Sequence, residues 1–176
     1  MKKKFIFSLL FIFLVANLSA KVLLSPVDAM RENYGKSATV SKKTILLLNE
    51  DFKKVQAEAK TKLLTKLYRI YIAKKDEKIL GYGILINKKV RSKNSVVMYI
   101  ISNDILKCIE IIAFNEPYEY IPNKTWQEQF KDIKTNKMLQ LSHDIPVITG
   151  ATLSAKSVTE GSRIAFAIYN KFLKEK

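Results

Sequence analysis

The sequence predicts an α+β fold, a twisted antiparallel sheet packed against helices with a long C-terminal helix. Three observations carry that prediction. Residues 67–73, 79–87, 95–102 and 105–114 are rich in Ile, Val and Tyr and alternate with period two, as half-buried strands do. The polar turns between them, at 74–78, 88–94 and 103–104, are too short for parallel crossovers. Residues 153–174 contain no proline and one glycine, with Val158, Ala165, Ile168 and Phe172 at the spacing of an amphipathic helix.

The elements follow in chain order. Met1-Lys2-Lys3-Lys4 is a basic start, residues 5–15 are apolar, and Leu18-Ser19-Ala20 is a small-residue cleavage pattern. This predicts a signal peptide over residues 1–20, cleaved after Ala20. The alternative is a retained N-terminal anchor, although the run is shorter than the roughly 20 apolar residues that span a bilayer. Ser25-Pro26-Val27-Asp28 is a capping box with proline at the first helical position. Val27, Met30, Arg31 and Tyr34 continue it at helical spacing and Gly35 ends it. Residues 44–48 suit a buried strand. Residues 49–64 read as a helix with a cap, acids at Glu50 and Asp51, and Phe52, Val55 and Ala59 on one face. Residues 21–64 therefore form an N-terminal helix-strand-helix part, and residues 65–176 the core of the domain.

Within the sheet, Gly81 and Gly83 flank Tyr82, which predicts a bulge or a close backbone approach. No helix follows them, which argues against a phosphate-binding loop. Residues 122–130 read as a short helix capped near Asn123 or Thr125, with Trp126 and Phe130 on one face. The indole suits either stacking on a flat ring or packing in the core.

Composition narrows the classes. A chain of 176 residues is one ordinary domain. Its formal charge is +15, falling to +12 without the three lysines Lys2, Lys3 and Lys4. That excess suits an acidic partner or peripheral contact with an anionic membrane, but the lysines are scattered in pairs and also read as solvated turns. With an export signal and no nucleic-acid motif, nucleic acid is not an expected partner. Cys108 is the single cysteine, so no intramolecular disulfide forms, and its apolar neighbours predict a buried structural thiol. His143 is the single histidine and stands in a polar loop. No metal-ligand cluster and no Ser-His-Asp arrangement is present in the sequence.

The chemistry concentrates at Thr149-Gly150-Ala151-Thr152, a low-bulk loop that opens the last helix. Thr152 or Ser154 is the expected N-cap. Unpaired amides at a helix start favour an anion such as phosphate. The plain alternative is a turn and a helix cap with no chemistry.

The segment Asp144-Ile-Pro-Val-Ile-Thr-Gly-Ala-Thr152-Leu-Ser resembles the flavinylation motif of FMN-binding domains. Such domains occur in the C subunit of the sodium-pumping NADH:quinone reductase and the G subunit of the Rnf complex. The resemblance implies that Thr152 carries FMN through a phosphoester, attached from FAD by a flavin transferase. It places Thr149, Gly150, Ala151, Leu153 and Ser154 around the cofactor. The family usually has an aspartate six residues before the modified threonine; here Pro146 holds that place and Asp144 stands two residues earlier. The resemblance extends to Lys78-Ile-Leu-Gly-Tyr82 and to Asn115-Glu116-Pro117, where relatives carry a His-x-Glu-Thr-Pro-Gly pattern. Glu116 is the flavin-edge contact it offers, and Tyr118-Glu119-Tyr120 replaces the glycine-rich part.

The expected function is thus a periplasmic electron carrier, or a peripheral subunit of a membrane redox complex, with covalent FMN and a redox partner protein. Two alternatives remain at this point. One is a non-covalent FMN-dependent reductase, the other a flavin-free basic exported binding module.

Overall fold

The computed structural model describes residues 22–174. The expected signal peptide, its cleavage site and the anchor alternative lie outside the described residues. The elements are α1 (Pro26–Tyr34), β1 (Thr39–Leu46), α2 (Asn49–Ala59), β2 (Leu67–Lys75), β3 (Lys78–Lys89), β4 (Asn94–Ser102), β5 (Ile105–Phe114), α3 (Lys124–Gln127), β6 (Ile133–Lys134) and α4 (Thr152–Phe172). The strands form one antiparallel sheet in sequence order, β1 to β6. The fold is α+β with a long C-terminal helix, and the short turns make the meander their lengths required.

The strands alternate between two cores. In β4, Val97, Tyr99 and Ile101 pack with α2 and α4, whereas Met98 and Ile100 pack with Ala29 and Met30 of α1. Burial on both faces explains why this strand reads as an almost unbroken apolar run. Each fully buried large side chain contributes roughly 1.5–3 kcal/mol. The two strand glycines serve α1. A Cβ on Gly83 would lie 2.6 Å from Met30 Sδ, and one on Gly81 would collide with the Tyr34 hydroxyl. A bulge falls at the same place, between Ala73 and Lys74 opposite β3, so both expected causes operate together.

Three boundaries differ from expectation. β1 begins at Thr39, because the residues before Ile45 are mostly exposed edge-strand positions that carry no apolar signal. α2 ends at Ala59, where Lys60 adopts φ 46° in the left-handed region. Asn49 does not cap α2: Leu48 holds that position, and Asn49 Oδ1 accepts from Lys66 Nζ at 2.7 Å. The capping box at α1 forms as its residues require, with Asp28 N–H donating to Ser25 Oγ at 3.1 Å and Gly35 closing the helix at φ 91°. Asn123 likewise caps α3, its Oδ1 accepting from Trp126 N–H at 2.9 Å.

α4 is buried on more sides than an amphipathic helix would be. The sheet and α2 pack against it, and the segment between β6 and α4 ties down over it. Arg163 donates to Leu139 O at 3.0 Å, and Asn170 exchanges two hydrogen bonds with Thr135, at 2.9 and 3.0 Å. Leu139 and Ile145 are fully buried there. A connection with little regular structure is thereby fixed up to the start of α4.

Candidate functional site

The start of α4 is built from a tight turn. Ala151 N–H donates to Ile148 O at 3.0 Å, and Gly150 takes φ 79° with open space where a Cβ would stand. The first turn of α4 closes on one carbonyl: the amides of Ser154 and Ala155 both donate to Ala151 O, at 3.0 and 3.1 Å. Ala151 is therefore the N-cap residue, and neither Thr152 nor Ser154 caps the helix through its side chain. A capping side chain would have consumed the amides that here stay open. Those of Thr152 and Leu153 have no acceptor among the described residues.

Thr152 and Leu153 are exposed, as are Thr149 and Gly150. The Thr152 hydroxyl reaches only Ile148 O, at 3.5 Å, beyond the usual O–H···O range, so it is held weakly and stays accessible. Ser154 is buried, and its Oγ has no hydrogen-bond partner. In the same helix Thr159 Oγ1 donates to Ala155 O at 2.9 Å and Ser162 Oγ to Thr159 O at 2.7 Å, whereas Ser157 Oγ is unpaired as Ser154 Oγ is. Leaving a buried hydroxyl unpaired costs about 1–3 kcal/mol.

A cavity of about 250 Å³ adjoins this turn, lined by Val90, Arg91, Glu116, Tyr120 and residues 150–154. Glu116 reaches it from the segment after β5. Glu116 Oε1 accepts the backbone N–H groups of Arg91, Ser92 and Lys93 at 3.0, 2.6 and 2.7 Å. The Lys93 N–H is the main cause holding this carboxyl below its ordinary range, with the other two helping and burial opposing. Glu116 thus reaches the same cavity as residues 150–154, whereas Thr149 is outside its lining, and its carboxylate fastens the turn between β3 and β4.

The residues present fit the phosphate end of FMN. An exposed alcohol, two open amides and the cationic residue Arg91 border one cavity. The volume is below the roughly 300–1,000 Å³ typical of pockets that enclose a small ligand. A three-ring system would extend beyond it.

Other residues singled out in the sequence have different places. Trp126 packs in the core, edge-on to Phe130 with ring centres 5.2 Å apart, and is absent from the cavity lining. Its Nε1–H donates to Pro146 O at 2.8 Å. Asp144 pairs with Lys137 at 2.9 Å and accepts Gln140 N–H at 2.9 Å. The Lys137 ammonium leads in holding its carboxyl down at about 2. The acid nearest the place of the usual aspartate is therefore committed to its own loop. His143 is exposed beside it, 3.2 Å from the same carboxylate. Cys108 is half-buried where full burial was expected, its Sγ 3.0 Å from Asn33 Oδ1, and burial pushes the thiol up to about 11. Among the described residues no His, Cys, Asp and Glu cluster could hold a metal, and no helix is long and apolar enough to cross a membrane.

Sequence reasoning missed Arg91 and Val90, which it placed in a polar turn. The one available signal was Glu116, whose acid-proline segment lies opposite that turn once β4 and β5 pair. A larger cleft of about 630 Å³ borders the Tyr118–Tyr120 turn on its other side, lined by Leu23, Leu24, Ile121 and Gln127 among others. It includes neither Thr152 nor the start of α4. The chain matches no family model and no curated protein.

Proposed function

We propose that the chain is an exported electron-transfer protein carrying FMN through a phosphoester on Thr152. The observation that carries this reading is the exposed Thr152 hydroxyl, standing beside open helix amides and a cavity bordered by Arg91. Exposure is what a modifying enzyme needs, and the glycine and alanine before Thr152 leave it a clear approach. In the attachment step Thr152 Oγ bonds to the flavin-side phosphorus of FAD as the pyrophosphate P–O bond breaks. AMP leaves, and the hydroxyl proton passes to a base on the flavin transferase. Thr152 is the acceptor in that step; the transferase supplies the catalysis.

The small cavity favours tethered over freely bound cofactor. A site that cannot enclose the ring has little contact area with which to retain FMN by affinity alone. A covalent link makes rebinding intramolecular and removes that requirement. Bound FMN supplies one- or two-electron transfer, and the surrounding residues set its orientation and solvent access. The electrons pass to a redox partner protein or a membrane redox complex, with the cationic surface as the docking and peripheral membrane-contact side.

Co-expression with a flavin transferase followed by denaturing electrophoresis tests the reading. Flavin fluorescence that stays with the wild-type band and is absent from Thr152→Ala is the expected result. Fluorescence that is released on denaturation supports the non-covalent reductase instead. A colourless protein that binds anionic polymers in a salt-dependent way supports the flavin-free module.

A further inference from the structure

We propose that the corner of the sheet where β1 ends and β2 begins is a membrane-docking surface, whose exposed leucines enter an anionic lipid interface while the cations beside them hold its headgroups. The inference deepens the membrane contact of the proposed function by assigning its surface, and rests on no part of the flavin site.

Four leucines stand exposed at this corner, Leu46, Leu48, Leu64 and Leu67, at 64, 68, 60 and 47%. Their exposure is imposed by the residues between them. Leu47 and Leu63 are buried in the core, and Leu47 N–H donates to Lys66 O at 2.8 Å, so the leucines next to them turn outward. Leu46 and Leu67 are direct cross-strand partners and lie on one face of the sheet. α1 covers that face beside Gly81 and Gly83, opposite Ala73 and Tyr71, and Leu67 lies beyond it toward the start of β2. Single exposed apolar residues are ordinary on a surface, but four gathered at one corner mark a contact.

The charge beside the leucines selects the partner. Residues 42–49 and 60–69, which carry them, contain the six cations Lys42, Lys43, Lys60, Lys62, Lys66 and Arg69 and no acid. None of the six has a carboxylate partner among the described residues. Lys66 bonds instead to the neutral Asn49 Oδ1 at 2.7 Å. The flanking acids are Glu50, Asp51 and Glu58, and Asp51 is engaged by Lys171 at 3.1 Å. A protein partner would favour aromatic anchors, since the centres of such interfaces are enriched in Trp and Tyr and depleted of Lys. Leucine beside lysine is the composition of surfaces that lie in a lipid interface, with apolar tips at the acyl boundary and long cationic stems reaching the headgroups. A second copy is disfavoured here, because Lys42 and Lys43 on the edge strand β1 would meet their own charges across a paired edge.

The test uses the full chain purified without a flavin transferase and labelled with an environment-sensitive fluorophore. The label sits at Leu64→Cys or, as a control, at Thr39→Cys at the other end of β1. Both are made in a Cys108→Ser background, which leaves one thiol and keeps a donor to Asn33 Oδ1. Vesicles of phosphatidylcholine with phosphatidylglycerol should shift the Leu64 label to the blue and leave the Thr39 label unchanged, and phosphatidylcholine alone should shift neither. Leu48→Gln and Arg69→Gln should each weaken the affinity read at residue 64 by roughly fivefold, and added salt should weaken it further. Both positions are exposed, so thermal melts matching the parent verify that these variants fold. A Leu64 label that stays unshifted while the chain sediments with the anionic vesicles assigns the contact to another surface and overturns the proposal. Equal shifts at Thr39 or with neutral vesicles, or unaltered affinity in both variants, overturn it too. A Leu64 shift that grows with protein concentration in the absence of vesicles assigns the leucines to a second copy instead. Intact mass after transferase treatment reads the flavin separately: an unmodified chain that docks sinks only the tether, and a flavinylated chain that does not dock sinks only this surface.

Discussion

The indole N–H of Trp126 donates to the carbonyl of Pro146 at 2.8 Å, joining the start of the α3 segment to the loop that presents Thr152 six residues later. The bond explains why a buried aromatic matters to a site it does not touch. Packed against Phe130, the ring is a fixed point, and the loop hangs from its one polar atom.

Trp126→Phe keeps most of the packing and removes that donor. It should cost about 1–2 kcal/mol in urea unfolding, with part of the loss from the smaller ring. Amide exchange between residues 146 and 152 should quicken more than exchange in β4. Uniform quickening across the sheet would show that the loop does not depend on this bond.

Tyr99 and Gly161 form a second coupled pair. The buried Tyr99 hydroxyl donates to Val158 O at 2.7 Å, and a Cβ on Gly161 would collide with it. Glycine in mid-helix otherwise costs up to about 1 kcal/mol, so its presence in α4 has this steric reason. Tyr99→Phe should destabilise by about 1 kcal/mol. Gly161→Ala should destabilise too, but much less in the Tyr99→Phe background, where the obstructing oxygen is gone. Strict additivity in a double-mutant cycle would contradict the contact.

Acid should loosen the site. Glu116 and Asp144 both have folded pKa values below their ordinary ones, Glu116 through turn amides and Asp144, at about 2, chiefly through Lys137. Lowered carboxyl values stabilise the folded state above the ordinary carboxyl range, and that contribution is lost as pH falls through the folded values. For Asp144 the window runs from 3.8 down to about 2. Thermal melts of wild type should therefore fall between pH ~5 and pH ~2, and Glu116→Gln should be less stable at neutral pH with a shallower acid decline. An equal decline in both would remove Glu116 from the explanation.

Cys108 should be slow to alkylate at neutral pH. Burial, assisted by the Glu110 charge, raises the thiol to about 11, and the thiolate is the reactive form. Iodoacetamide labelling should accelerate with pH well beyond the range of an exposed thiol. Rapid labelling near neutrality would contradict the environment described.

The order of β1 to β5 and of the four helices was legible because periodicity, turn length and caps are local, whereas the two-residue β6 is too short to show a period. Ser25, Gly35 and Asn123 act as their residue types require. The edge strand's start was not, since exposed polar positions such as Lys42 and Lys43 carry no apolar pattern. At the site, the small loop and the helix start could be read directly from residues 149–154. Arg91 could not, because its place opposite Thr152 depends on long-range strand pairing and on Glu116 bonding to a turn more than twenty residues earlier. Tyr99 explains Gly161 by the same kind of distant contact.

The most direct measurement is the intact mass of the purified chain after co-expression with a flavin transferase shown to work on a control substrate. The account predicts a wild-type chain heavier by one FMN phosphoester, an unmodified Thr152→Ala chain, and a fragment containing residues 149–154 that carries the added mass. A wild-type chain of unmodified mass, or an adduct that persists in Thr152→Ala, would contradict it.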